Sequence, residues 1–389
     1  MSYVAALTAA AVTLSLGYLM LVAAAAVAGA LSRGGRRERA VDAYEALAVS
    51  RFTIPVSVIV PLDGNYAALS TWVEALLDLN YPELEVIVVA GRIPDVTLEA
   101  FKSDWSLEPK EFFYRRALPT AAVHRLYGSS RDSRLVFVEK APGGRADALN
   151  CGVSLARFRY VVSITPGVLF DTNALLRLMS PALRDPATVL AVTSYVERRR
   201  EGPGRAAAEG LAWTKAGDDY QRLASIRSWM ASRLAWHQLR CGIPPRDGVS
   251  AWRRDAVLEL GGFSVDAADE EFDLLIRMQT SDNRRGAGKV IRTSEVFGHL
   301  ETLSVARAAA TAGRRRRALL EAFRAFETSR TAGETRLTMM CVLAVELFTP
   351  AAQVFALAAI VAGTALGWVS WTAPFLALLF LTFGYGLMS

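Results

Sequence analysis

The sequence predicts an α/β domain with transmembrane helices at both ends. Three observations lead there. Short β-branched runs alternate with helical stretches between residues 51 and 330, apolar residues concentrate at the two ends, and the hydrophobic share of 52% with a mean hydropathy of +0.25 is high for a soluble protein. At 389 residues there is room for one sizeable domain besides such segments.

From Tyr3 to Leu31 no residue is charged, and about 20 apolar residues already span a bilayer as a helix. Residues 1–32 are therefore expected to be a transmembrane helix. A cleaved signal peptide would have a basic start and a shorter apolar run, whereas here Arg33, Arg36, Arg37 and Arg39 follow the run. Residues 33–50 then form a basic linker. The positive-inside rule places the N-terminus outside and the following domain in the cytoplasm, as an integral membrane protein of a bacterial inner or plasma membrane.

Within 51–330, Pro55 to Pro61 is a strand bounded by prolines and Ala68 to Leu79 an amphipathic helix. Leu84 to Val89, Leu135 to Glu139 and Tyr160 to Ile164 are further strands. Ligands of such sheets bind at the carboxyl ends of the strands. Two more transmembrane helices are expected at 337–365 and 373–389, joined by an uncharged turn whose Trp368 and Trp371 suit a membrane interface. Glu346 either faces other helices or a conduit, or sits close enough to the interface to be solvated. The last helix ends without a polar tail, which is the expectation for a truncated chain.

A net charge of +6 and a pI near 9.3 come mostly from arginines, clustered at Arg36–Arg37, Arg198–Arg200 and Arg314–Arg317. Such clusters suit membrane lipid headgroups or nucleotide phosphates. No finger, homeodomain or RNA-binding signature accompanies them, so no nucleic-acid partner is expected. Cys151, Cys241 and Cys341 are odd in number and lack metal or disulfide spacing. His124, His237 and His299 lie far apart and read as surface or packing residues rather than metal ligands.

Three strings carry a resemblance: Val56-Ser57-Val58-Ile59-Val60-Pro61, Asn80-Tyr81-Pro82-Glu83-Leu84, and Gly143-Gly144-Arg145-Ala146-Asp147-Ala148-Leu149-Asn150. With Gly261-Gly262-Phe263 and Glu270-Glu271-Phe272-Asp273 further on, they make residues 50 to 325 resemble the membrane family-2 glycosyltransferases of GT-A fold. That group includes cellulose, hyaluronan and poly-N-acetylglucosamine synthases. The resemblance implies transfer of a sugar from a nucleotide-sugar, with carboxylates holding a divalent cation against the leaving diphosphate and another acting as base.

Several of those acids are missing. The carboxylate after the second strand is replaced by Ala90-Gly91-Arg92, and the metal-binding Asp-x-Asp by Thr165-Pro166-Gly167. The first strand ends in Pro61-Leu62-Asp63, which alters the base pocket, and the downstream Gln-x-x-Arg-Trp motif is reduced to Arg314. At the acceptor side Glu271, preceded by Glu270, occupies the place of the base; acids at a helix start favouring the helix dipole are the alternative for Glu270, Glu271 and Asp273. Arg145 stands where the family has a phosphate-facing lysine, and either binds a diphosphate or caps the sheet.

The candidate catalytic residues are thus Glu271 and Glu270, and the candidate substrate-binding residues Pro61, Asp63, Arg92, Arg145, Asp147 and Arg314, with no metal ligand. Two functions follow. One is a catalytically degenerate relative, a scaffold beside an active synthase or another polysaccharide-assembly subunit, with no cofactor. The other is an active transferase with Glu271 as base, for which Mg2+ or Mn2+ and a nucleotide-sugar would return.

Overall fold

The computed structural model describes residues 53–64, 68–111, 116–199, 249–280, 288–301 and 305–328, with a few isolated helical positions between 340 and 365. In chain order the elements begin with β1 (Val56–Asp63), α1 (Leu69–Leu77), β2 (Leu84–Arg92), α2 (Asp95–Asp104), β3 (Leu107–Pro109), β4 (Val123–Ser129) and β5 (Leu135–Lys140). Next come α3 (Gly144–Leu155), β6 (Tyr160–Ser163), β7 (Leu169–Phe170), α4 (Ala174–Arg184) and β8 (Val189–Arg199). After residue 248 follow β9 (Ser250–Arg253), α5 (Arg254–Glu259), α6 (Glu270–Thr280), β10 (Lys289–Glu301) and α7 (Val305–Thr328).

The strands form one sheet in the order β3-β4-β5-β2-β1-β6-β9-β8-β10-β7. β5, β2, β1 and β6 run parallel, β9 runs against β6 and β8, and β10 lies parallel to β8. A parallel strand with helices on both sides has no wet face, which is why Val56-Ser57-Val58-Ile59-Val60 reads as a nearly continuous apolar run. Its residues divide by parity. Val56, Val58, Val60 and Leu62 pack with Trp72 and Val73 of α1, Phe101 of α2 and Leu176 of α4. Ile59 packs on the opposite face with Leu149 and Val153 of α3, Val257 of α5 and Leu275 of α6.

The polar groups buried at the amino ends of β1 and β2 are satisfied. Ser57 Oγ donates to Glu85 Oε1 at 2.6 Å, and Arg157 donates to the same carboxylate from its backbone N at 2.9 Å and its Nε at 2.6 Å. That network ties the amino ends of β1 and β2 to the end of α3.

The five elements read from the sequence in the first half of the domain are present within three residues of their expected bounds. The expected transmembrane helices, and the integral-membrane placement built on them, are not supported by the structure. Among the described residues no helix is long and apolar enough to cross a membrane. The longest described helix, α7, has 24 residues but carries Arg307, Arg314, Arg315, Arg316, Arg317 and Arg324, whose charges hydrocarbon would not solvate. The segments 1–32 and 373–389, the linker 33–50 and nearly all of 337–365 lie outside the described residues.

Candidate functional site

Strand order alone places a crevice. The chain leaves β1 toward β2 and β5, then returns to β6 on the other side of β1, so the winding direction reverses between β1 and β6. Loops diverge outside the carboxyl ends of two such strands and leave a ligand-sized gap. Pro61, buried and paired with Val89, and Asp63 lie at the end of β1. Arg92 closes β2 and approaches Asp63 at 3.8 Å, both side chains being largely solvated. At that spacing and exposure the pair is a weak attraction.

Across the crevice, β6 ends in a tight turn rather than an acidic loop. Val168 N donates to Thr165 O at 3.3 Å, with Pro166 second and Gly167 third at φ +89°. Proline presets the second position of such a turn and glycine accepts the positive φ of the third, so Thr165-Pro166-Gly167 is a turn sequence with a mechanism. Trp72 Nε1 fastens it to α1 by donating to Val168 O at 2.7 Å.

This turn offers no carboxylate to a divalent cation. Nearby, His299 Nδ1 stands 3.8 Å from Glu197 Oε2 and has no hydrogen-bond partner among the described residues. Two ligands do not complete a site, and no group of three or more His, Cys, Asp or Glu gathers among the described residues. The described side chains therefore do not fit the metal that the resemblance implies.

The β5–α3 connection carries two ion clusters within a few residues. Lys140, the last residue of β5, is sealed from solvent; its ammonium pairs with Asp147 Oδ2 and donates to Ala141 O at 2.8 Å. The other oxygen of Asp147 accepts Ala121 N at 2.7 Å, so both oxygens are engaged. Arg145, in the first turn of α3, reaches α6 instead. Its Nη1 contacts Glu270 Oε1 and its Nη2 donates to Glu271 Oε1 at 2.6 Å.

Burial would favour the neutral form of Arg145, but Glu271 and Glu270 outweigh it and hold the guanidinium firmly charged. For Glu271 burial wins: it lifts the carboxyl above the usual range despite Arg145, and the neighbouring acids Glu270 and Asp269 push the same way. Cys151, buried in the second half of α3, has its thiol pushed up to about 11 by burial, which disfavours the thiolate.

One turn further along α3, Asn150 grips the Gly261-Gly262-Phe263 turn. Its Nδ2 donates to Phe263 O at 2.8 Å and its Oδ1 accepts Phe263 N at 2.7 Å. Gly262 holds φ +81°, and a Cβ there would lie 2.4 Å from Asn150 Oδ1. Arg277 of α6 braces the same turn by donating to Leu260 O at 2.6 Å and Gly262 O at 2.7 Å. Beside this anchor opens a cleft of about 630 Å³ lined by Thr120, Asn150, Phe263, Val265, Asp273 and Arg277 among others.

Asp269 caps α6 by accepting Phe272 N at 3.0 Å. The arginine of α7 that meets this helix start is Arg315, stacked 4.5 Å from the Phe272 ring centre and 3.7 Å from Asp269; Arg314 points to solvent. The structure thus joins Arg145, Glu270 and Glu271, gives Asp147 to Lys140, pairs Asp63 with Arg92, and leaves Arg314 apart. Lys140, Asn150 and Arg277 were not singled out by sequence. The available signal was a lysine closing an apolar strand ahead of Gly-Gly and an aspartate.

No family model and no curated protein sequence matches the chain. Among solved structures, the mannosyltransferase PcManGT from Pyrobaculum calidifontis, in complex with GDP-Man and Mn2+, aligns at TM-score 0.57 over 94% of this chain and 96% of its own, with 20% identity. The chain has a mixed α/β glycosyltransferase-like fold. Two alignments with TM-scores under 0.5 carry no weight here. They are S. aureus TarS residues 1–349 with UDP-GlcNAc (0.46, 10% identity, 79% of this chain and 80% of that one) and glucosyl-3-phosphoglycerate synthase from Mycobacterium tuberculosis (0.42, 16% identity, 72% and 82%). At 20% identity the likeness to the mannosyltransferase speaks for the fold alone.

Proposed function

We propose that this chain is a catalytically degenerate glycosyltransferase-like protein, working as a subunit of an envelope or extracellular polysaccharide synthesis machinery beside an active synthase. The observation that carries this reading is the Arg145 cluster. The carboxylate best placed to act as base is tied, with its neighbour, to a guanidinium. Arg145 engages one oxygen of each carboxylate, and its positive charge makes Glu271 less ready to take a proton from an acceptor hydroxyl. The turn at Thr165-Pro166-Gly167 supports the same reading, because the charge growing on a departing diphosphate would meet no metal held there.

A second reading, an active transferase using Glu271 as base, draws on the raised carboxyl of Glu271, since a carboxylate lifted toward neutrality is a better proton acceptor. Donors to try include GDP-mannose, because the mannosyltransferase of similar fold binds it with Mn2+. The decisive experiment incubates the full chain with radiolabelled GDP- and UDP-sugars, with and without Mn2+, and measures sugar release and transfer. No turnover above a protein-free control is expected. Turnover that Glu271→Gln abolishes at unchanged protein abundance would establish the second reading and sink the first.

A further inference from the structure

The two sides of α7 have opposite chemistry. Ala318, Leu319, Ala322 and Phe326 are buried against Phe272 and Ile276 of α6, so the apolar side of the helix is already covered. The opposite side carries five exposed arginines, Arg307, Arg314, Arg316, Arg317 and Arg324, against Glu321 and Glu327. Arg317 reaches Glu321 at 3.2 Å, and that carboxylate also accepts Ala268 N. The guanidinium groups of Arg307, Arg314 and Arg316 have no hydrogen bond or ion pair among the described residues.

Four of the five form a line. Steps of seven, three and seven residues from Arg307 through Arg314 and Arg317 to Arg324 keep them within about a third of the helix circumference, along about 25 Å of its length. A single phosphate group cannot use such a line. A linear polyanion can.

Which polyanion it is follows from what the face lacks. A helix that binds a lipid surface buries its apolar side at the acyl boundary, but here that side is packed on α6 and Leu320 is the one large hydrophobic exposed among the described residues of α7. Single-stranded nucleic acid is held by stacking its bases on aromatic rings, and no aromatic residue is among the exposed positions described on α7. An acidic polysaccharide makes neither demand. Its carboxylates recur along an extended chain at a spacing comparable with the helix turn of about 5.4 Å, and carboxylates in a row suit guanidinium forks in a row.

We infer that the outer side of α7 is a docking surface for a linear acidic polysaccharide bearing carboxylates, held by Arg307, Arg314, Arg316 and Arg317. None of these arginines lines the cleft beside Asn150. The inference rests on placing the chain in a polysaccharide synthesis machinery and gives that placement a ligand, the polymer itself, on a surface separate from the Arg145 cluster.

The test uses the full chain at low salt, with polygalacturonate as the probe, its methyl-esterified form as the uncharged control and calorimetry as the readout. Polygalacturonate is expected to bind and the ester not to. Arg307→Gln, Arg314→Gln and Arg316→Gln are each expected to weaken binding about threefold, and the triple variant roughly thirtyfold, with thermal unfolding unchanged because all three side chains are exposed. Arg184→Gln, which removes the same charge from the end of α4, is expected to leave binding unchanged.

Absence of polygalacturonate binding, equal binding of the ester, or a loss in Arg184→Gln as large as that in Arg314→Gln would each overturn the docking surface. Vesicles of anionic phospholipid and a single-stranded DNA oligomer stand for the other classes of polyanion. Tighter binding of either, lost in the triple variant, would overturn the polysaccharide as the occupant. Sugar transfer by the wild-type chain would instead remove the degenerate reading and leave the polygalacturonate result standing.

Discussion

Lys140–Asp147 and Arg145–Glu270–Glu271 begin within five residues of each other and are opposite in kind. In the first, the lysine side chain is 0% exposed and the aspartate 8%, the partners lie seven positions apart in sequence, and their remaining contacts go to the backbone of Ala141 and Ala121. In the second, Arg145 is 32% exposed and its partners 17% and 15%, on a helix more than 120 positions away. A sealed pair with every acceptor used can only hold shape. A half-open pair with surplus acid can exchange partners. Charge burial therefore separates the sealed pair from the half-open cluster, although both join a basic side chain to carboxylate groups.

The largest effect should come from breaking the sealed pair. Lys140→Met leaves Asp147 buried without its cation and is expected to cost about 3 to 5 kcal/mol in chemical unfolding, and Asp147→Asn a similar amount. If both remain within 1 kcal/mol of wild type, Lys140–Asp147 is no more structural than Arg145 and the contrast fails.

Next comes the anchor between the two regions. Gly262→Ala forces a Cβ into contact with Asn150 Oδ1 at a φ of +81°, and a loss of about 2 kcal/mol is expected. The reading out is thermal unfolding together with exchange at Phe263, which should become unprotected.

Smaller, and informative by its sign, is the pH dependence of Glu271→Gln. The folded protein holds the Glu271 carboxyl above its unfolded value, so it binds the proton more tightly than the unfolded chain does. The stability contributed by that proton is fully present below the unfolded value near 4.5 and is lost as pH rises through the raised folded value. The glutamine variant, which never ionises, should thus gain on wild type as pH increases from 4 through neutrality. A constant difference across that range would mean that Arg145 fully compensates the burial.

The smallest effect is expected at the crevice. Arg92→Ala removes a solvated contact of 3.8 Å and should change stability by less than about 0.5 kcal/mol. A loss of UDP or GDP binding in that variant would assign Arg92 to the ligand rather than to Asp63.

What the sequence by itself determined is what local patterns encode. The apolar runs at Val56–Val60 and Leu84–Val89 and the acidic start of α6 follow from side-chain periodicity and backbone preference, and each is found where it was read; the Pro-Gly turn after β6 obeys the same backbone preference. The order β5-β2-β1-β6, which places the crevice, and the later strands β8, β9 and β10 depend on pairings between strands far apart in sequence, such as Val56 with Tyr160 and Ala191 with Trp252, for which no local pattern exists.

The apolar end segments show a different limit. Hydropathy reports that residues avoid water, and a long apolar run led to the expectation of membrane spans that no described helix supports. Partner choice lies further still from the sequence. Asp147 and Arg145 sit two positions apart on one helix turn; the path of the chain alone gave the first to a buried lysine and the second to two glutamates, because a charge's partner is set by which side chains the fold brings within hydrogen-bond reach.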